Sequence, residues 1–319
     1  MVRLDVYTGP ENQQKRGVAY SRWRVIGVIL LVLVAGLVVR NQIRVQLNRK
    51  AGREAAALAA AQEPAAPKPP AVADPQLPGS PQIRQQLFDA LRPVVLSKCR
   101  LQRFGEANDG GYLLCANLLA GARAGYSYGI DGYDQWGCDV STRLQVPVHE
   151  YDCFNPKVPV CQTGRTIFHS ECVGIGPASE DGRLFDSVAG QLTKNGDAAR
   201  HVVMKMDVEG AEWDSLLALP DEMLERIDQL TIELHGVGDE KYVRVVQRLK
   251  RLFHVAHIHF NNFSCRTGLD PFPSWAYEVL FVNRRLDTED PSRTPRPLLP
   301  IDARNNLGSP DCQTTGGRR

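Results

Sequence analysis

Residues 201–216 read HVVMKMDVEGAEWDSL. The apolar run over 201–208 ends in acids and a glycine, and a helical pattern over 211–219 follows at once. A run of this length without polar–apolar alternation predicts a strand covered on both faces, feeding a helix. The same grammar extends in both directions. Upstream lie GYSYGI at 125–130, VPVHEYD at 146–152 and RTIFHSECVGI at 165–175. Downstream lie IDQLTIELHG at 227–236, FHVAHIHFNNF at 253–263 and AYEVLFVNRR at 276–285. Helical spacing appears over 83–95 (Ile83, Leu87, Leu91), 183–194 (Leu184, Val188, Leu192) and 242–253 (Val243, Val246, Leu249). A further helix over 221–227 starts behind the break at Pro220. Strands alternating with helices predict an α/β domain on a mostly parallel sheet. The last two strands have no helix between them and are predicted to pair antiparallel.

In open sheets of this kind ligands bind beyond the carboxyl ends of the strands. After the first strand comes Gly129-Ile130-Asp131-Gly132, where glycine lets backbone approach a ligand. The second ends at Asp152, placed to accept hydrogen bonds from ribose hydroxyls, with Glu150 on the same face as a competitor. The fourth ends in Asp207-Val208-Glu209-Gly210-Ala211-Glu212. Acids also favour a solvated helix start, but Asp207 and Glu209 fall where the crevice belongs. His235 closes the fifth strand beside them.

The stretch KMDVEGAEWDSL closely resembles the K-x-D-V-E-G-x-E signature of FkbM-type S-adenosylmethionine-dependent methyltransferases. NDGGYLLC at 108–115, YSYGIDGYD at 126–134 and VHEYDCFNP at 148–156 resemble, in that order, the methyltransferase-like branch of the group. The similarity runs from about Phe104 to Asn283. It implies a Rossmann-like seven-stranded methyltransferase sheet, mostly parallel with an antiparallel final pair, and S-adenosyl-L-methionine as cofactor. It also implies that Ser127, Gly129 and Asp131 line the methionine end and that Asp152 holds the ribose. Asp109, Gly110, Gly111 and Tyr112 then cover the cofactor, and Asp207 and Glu209 sit at the reacting centre. The glycine-rich first loop of such enzymes is reduced here to Gly129 and Gly132.

Methyl transfer to oxygen needs a group to take the acceptor's proton. His235 is the candidate base, beside the plainer reading of a histidine bonded within a strand-end turn. Asp207 with Glu209 could instead hold a divalent cation through oxygen ligands; no metal-ligand set is assigned. His254, His257 and His259 lack an adjacent cysteine or acid and read as sheet residues. Asn261 and Asn262 stand at a strand end where substrate contact is possible. The expected reaction is O-methylation of a glycan, lipid-linked or small polar acceptor. Two competing classes are a membrane-tethered glycosyltransferase, although the chain has no D-x-D triplet, and a non-catalytic module on the same fold.

Outside the domain, Val25–Val39 is an unbroken apolar run with Tyr20 and Trp23 before it and arginines on both sides. With flanking side chains snorkelling, it reaches the ~17-residue lower limit for a span. The expected organisation is an N-terminal tail (1–24), a single-pass anchor in the bilayer (25–40), an Ala/Pro-rich stem (41–81), the domain (82–290) and a flexible tail (291–319). Basic residues flank the anchor five against five, so the positive-inside comparison is level. The layout resembles type II membrane enzymes. A net charge of +2 without an aromatic-interleaved basic stripe argues against nucleic acid. The eight cysteines show no C-x-x-C spacing. They fit either disulfides, with Cys153 and Cys161 the nearest local pair, or buried thiols.

Overall fold

A computed structural model describes residues 79–312 of the chain. The expected anchor, and the stem up to residue 78, lie outside the described residues. Among the described residues no helix is long and apolar enough to cross a membrane.

Ser80 caps the first helix, α1 (Pro81–Ala90), accepting a hydrogen bond from Ile83 N at 3.2 Å, and proline occupies its first turn. A hairpin follows, β1 (Leu101–Gly105) with β2 (Gly111–Cys115). Then come β3 (Ala124–Tyr128), α2 (Gln135–Leu144), β4 (Pro147–Tyr151) and β5 (Arg165–His169). A small three-stranded sheet is formed by β6 (Cys172–Gly174), β7 (Ala178–Glu180) and β8 (Arg183–Ser187). The chain continues through α3 (Val188–Lys194), β9 (Val202–Met206), α4 (Glu212–Ala218), α5 (Asp221–Leu224) and β10 (Ile227–His235). It ends with α6 (Glu240–Leu252), β11 (Phe253–Phe260) and β12 (Ala276–Asn283).

The main sheet has seven strands in the order β5-β4-β3-β9-β10-β12-β11. Strands β5, β4, β3, β9 and β10 are parallel, with Tyr128 level with Met206 and Met206 with Ile232. The last strand, β12, inserts between β10 and β11 and pairs antiparallel with both. The final pair is therefore antiparallel as read from sequence, but only β12 runs against the sheet. Both faces are covered, which is why β9 is apolar without alternation. Val202, Met204 and Met206 pack with α1, α3, α4 and α6, whereas Val203 packs with α2 and the hairpin.

Four expectations are corrected. Residues 183–194 are a strand followed by a helix, because Ser187 caps α3 through Gly190 N at 3.1 Å and breaks the four-residue spacing. Residues 165–175 are two strands in different sheets. The cysteine pairing differs too: all eight are bonded, Cys99–Cys115, Cys138–Cys161, Cys153–Cys172 and Cys265–Cys312, with Cα separations of 5.0 to 5.4 Å. Cys153 and Cys161 thus each take a partner outside their shared loop. Lastly, residues 291–312 pack as a strap rather than a free tail. Arg103 donates to Ile301 O, Asn108 to Arg304 O, Asn262 to the Asn306 and Pro310 carbonyls, and Cys312 is bonded to Cys265.

Candidate functional site

The strand order reverses between β3 and β9, so the crevice of the sheet opens at their carboxyl ends. Backbone geometry there is specialised. Gly129 has φ +71°, and a Cβ on it would run into the Asp207 carbonyl oxygen. Only glycine lets the two strand ends close this far. Lys205, 5 % exposed in an otherwise apolar strand, ties the junction by donating to Gly129 O at 2.6 Å and Tyr128 O at 3.3 Å. Glu209 and Gly210 both take positive φ, so the chain turns sharply before α4.

Asp207, Glu209 and His235 come together here. Tyr112, carried by β2, donates its hydroxyl to Asp207 Oδ2 at 2.9 Å, leaving Oδ1 to face His235. His235 Nε2 lies 3.9 Å from Asp207 Oδ1, 3.6 Å from Glu209 Oε2 and 3.8 Å from Glu233 Oε1. Its other nitrogen, Nδ1, meets Glu212 Oε1 at 3.2 Å. That oxygen also accepts His235 N, and Glu212 Oε2 accepts Gly210 N, both at 2.8 Å. Glu212 has no exposed surface, so it works as an internal bracket between β10 and the turn before α4.

The electrostatics follow from that crowding. Burial opposes charge on His235, but the Glu212 bond and the Glu212, Glu233 and Asp207 carboxylates outweigh it and lift its pKa to about 10. The surrounding acids therefore favour the protonated imidazole against the cost of its burial. Glu233 is held far above the usual carboxylate range, first by burial and then by Asp207, despite a 2.7 Å bond from Asn261. Burial and Asp207 push the Tyr112 phenol upward, so it remains a donor.

A second group of expected residues sits around the turn after β3. Asp131 is exposed with φ +44°, and its Oδ1 accepts from Asn155 at 2.9 Å. Asp152, the acid read in sequence as the ribose acceptor, is bonded to the backbone of two loops. Its Oδ2 accepts Ile130 N and Asp131 N at 3.1 and 2.8 Å, and its Oδ1 accepts Phe154 N and Asn155 N at 2.8 and 3.0 Å. Four backbone donors fill its lone-pair sites, so Asp152 builds the loops and leaves Asp131 as the open carboxylate.

Other expected residues lie apart. Ser127 is fully buried behind the junction. Gly111 is buried within the hairpin, and Asp109 and Gly110 are exposed at its turn, where Asn305 of the strap donates to Asp109 at 3.1 Å. Asn261 serves Glu233, and Asn262 serves the strap. His257 and His259 are buried strand residues, the first 2.9 Å from Asp302 and the second 3.5 Å from Glu278. Sequence reading missed Lys205, Glu212 and Glu233 as site residues. The one usable signal was a charged side chain within an apolar strand, which Lys205 shows.

A cationic donor carrying hydroxyls fits this end of the sheet in its charges: Asp207 Oδ1 and Glu209 face it, and Asp131 is free to accept. Gly210 adds a place where no atom lies within 4 Å of a would-be Cβ. Comparison of the chain with protein-family models, with curated proteins and with solved structures found no match.

Proposed function

We propose that this chain is an S-adenosylmethionine-dependent methyltransferase that methylates a hydroxyl of a glycan, lipid-linked or small polar acceptor. The observation that carries the reading is the meeting of Gly129, Asp207, Glu209 and His235 at the switch point of a seven-stranded sheet whose reversed last strand lies inside the sheet. Five parallel strands closed by such a pair are the sheet plan of these Rossmann-like enzymes. Bound S-adenosylmethionine would supply an electrophilic methyl group on a sulfonium. The chain's own residues then bind, orient and exclude water. Asp131 takes the role of hydroxyl acceptor on the loop that Asp152 fixes. Asp207 and Glu209 provide negative charge at the sulfonium, and the acceptor's proton leaves to a carboxylate there. Tyr112, 1 % exposed, screens the floor of the site from water.

Four disulfides that use every cysteine favour folding in an oxidising compartment. That supports placing the domain on the non-cytosolic side, in the type II orientation, if residues 25–40 anchor the chain.

The test is calorimetric titration of the purified full chain with S-adenosylmethionine and, separately, with a nucleotide sugar, followed by an assay for S-adenosylhomocysteine release with hydroxylated acceptors. Binding of the methyl donor alone is expected. Preference for the nucleotide sugar would transfer the assignment to a glycosyltransferase. Donor binding without turnover on any acceptor would leave a non-catalytic module.

A further inference from the structure

The geometry points to a divalent-cation site at the strand ends, held by Asp207 Oδ1, Glu209 Oε2 and His235 Nε2. One ligand atom from each residue lies within 4.8 Å of the others. Their spacing is the first argument. His235 Nε2 stands 3.9 Å from Asp207 and 3.6 Å from Glu209, too far for hydrogen bonds. Ligand atoms around one ion with bonds of ~2.0–2.2 Å sit roughly that far apart.

Orientation of the histidine is the second. His235 is 4 % exposed, its Nδ1 is engaged by Glu212, and Nε2 faces the carboxyl groups of Asp207, Glu209 and Glu233 with no hydrogen bond of its own. A buried carboxylate that fixes the far nitrogen and thereby aims the near one is the usual support of a metal-bound imidazole. Asp207 is prepared in the same way: the Tyr112 hydroxyl occupies Oδ2 and leaves Oδ1 for the ion. Glu209 completes the set from a positive-φ turn, with its side chain 69 % exposed. These are first-rank donors arriving from three places, β9, the turn after it and β10, and each is oriented by a neighbour or by the backbone.

Two carboxylates and one imidazole, without thiolate, suit a Mn2+ or Zn2+ class ion and leave positions for water or an acceptor oxygen. The chemical role rests on the methyl-transfer reading; the ion site itself does not. In that role the acceptor hydroxyl binds the ion through oxygen and becomes more acidic. Its proton passes to the uncoordinated oxygen of Glu209. The oxygen lone pair forms the new C–O bond as the C–S bond of the donor breaks, and that electron pair stays on sulfur.

The experiment uses the full chain, stripped with a chelator and titrated with Mn2+ (by loss of the free-ion paramagnetic signal) and with Zn2+ (by calorimetry), without methyl donor. One ion per chain is expected, with affinity at least tenfold weaker in Glu209→Gln and in Asp207→Asn. Because Glu209 is exposed, its variant tests the site with the fold intact, as circular dichroism would verify. His257→Gln, outside the set, is expected to bind as wild type. Absence of saturable binding of either ion below millimolar concentration, or undiminished binding in folded Glu209→Gln, overturns the proposal. S-adenosylmethionine affinity measured on the same samples separates the two readings. Ion binding without donor binding would sink methyl transfer alone, and donor binding without ion binding would sink the ion site alone.

Discussion

Glu150 offers a sharp test because its substitution is expected to stabilise the protein. The side chain is 1 % exposed on β4, and its carboxyl group, next to Thr166 and Asp134, makes no hydrogen bond of good geometry. Asp134 Oδ2 and Ser127 Oγ nearby likewise lack a bond of good geometry, and both Asp134 and Glu150 lie against the position a Cβ on Gly137 would take. Burial first, then the charge of Asp134, lifts the Glu150 pKa from 4.5 to about 8. The sign follows from proton counting. Between pH 4.5 and 8 the folded protein holds a proton that the unfolded chain releases, so stability falls as pH rises through this window. With those two pKa values, the penalty grows by roughly 3–4 kcal/mol between pH 5 and pH 8. Glu150→Gln keeps the shape, removes the ionisation and offers an amide N–H to the Asp134 carboxylate. Urea unfolding at pH 5, 6, 7 and 8, with disulfides intact, measures the difference. The variant's advantage is expected to widen steadily with pH, by about 3 kcal/mol across the series. A difference that stays flat with pH would refute the claim that Glu150 is a protonated buried acid.

Three further outcomes follow from the geometry. Gly129→Ala places a side chain at φ +71° against the Asp207 carbonyl. It is expected to cost more than about 2 kcal/mol in a urea midpoint measurement, and a neutral result would mean that the β3 and β9 ends are not so closely joined. Asp152→Ala strips four backbone N–H groups of their acceptor and is expected to cost about 2–4 kcal/mol of stability. Weakened ligand binding at unchanged stability would instead restore Asp152 to direct contact. Cys312→Ser opens a bridge spanning 47 residues and is expected to cost about 2–4 kcal/mol, with protease cleavage appearing within 291–312; resistance equal to wild type would show that the strap holds through its hydrogen bonds alone.

The fold was legible wherever periodicity was the only force at work. The strand patterns at 125–130, 201–208 and 227–236 became β3, β9 and β10, each buried on both faces. Legibility failed where a single capping residue outranked the period. Leu184, Val188 and Leu192 are spaced as on a helix, yet Ser187 starts α3 and leaves Leu184 on a strand at 56 % exposure. Cysteine pairing was out of reach for a different reason. Cys138 stands on α2 and Cys172 on β6, so their bonds depend on tertiary packing rather than separation along the chain. The strap was invisible for a similar reason, since its bonds run to hairpin residues nearly 200 positions away.

The site shows the same division, and the stretch from Lys205 to Glu212 shows why a motif can be found without being understood. Its acids are alike in sequence but unlike in circumstance. Asp207 is partly exposed and faces the crevice, Glu209 is exposed on a left-handed turn, and Glu212 has no exposed surface at all. A buried carboxylate that receives three hydrogen bonds from Gly210 and His235 is spent on the fold, so Glu212 orients the junction while Asp207 and Glu209 stay open to the crevice. Lys205 likewise is spent on the carbonyls of Tyr128 and Gly129. The spacing of the stretch is therefore set by the need to join β3, β9 and β10 at the switch point, with two acids left facing the crevice. Glutamine at position 212 would keep one acceptor and turn its amide toward the donor N–H of Gly210 or of His235. Such a variant would loosen the junction and misdirect the imidazole together, which makes the geometry of the fold and the chemistry of the site one property at this point in the chain.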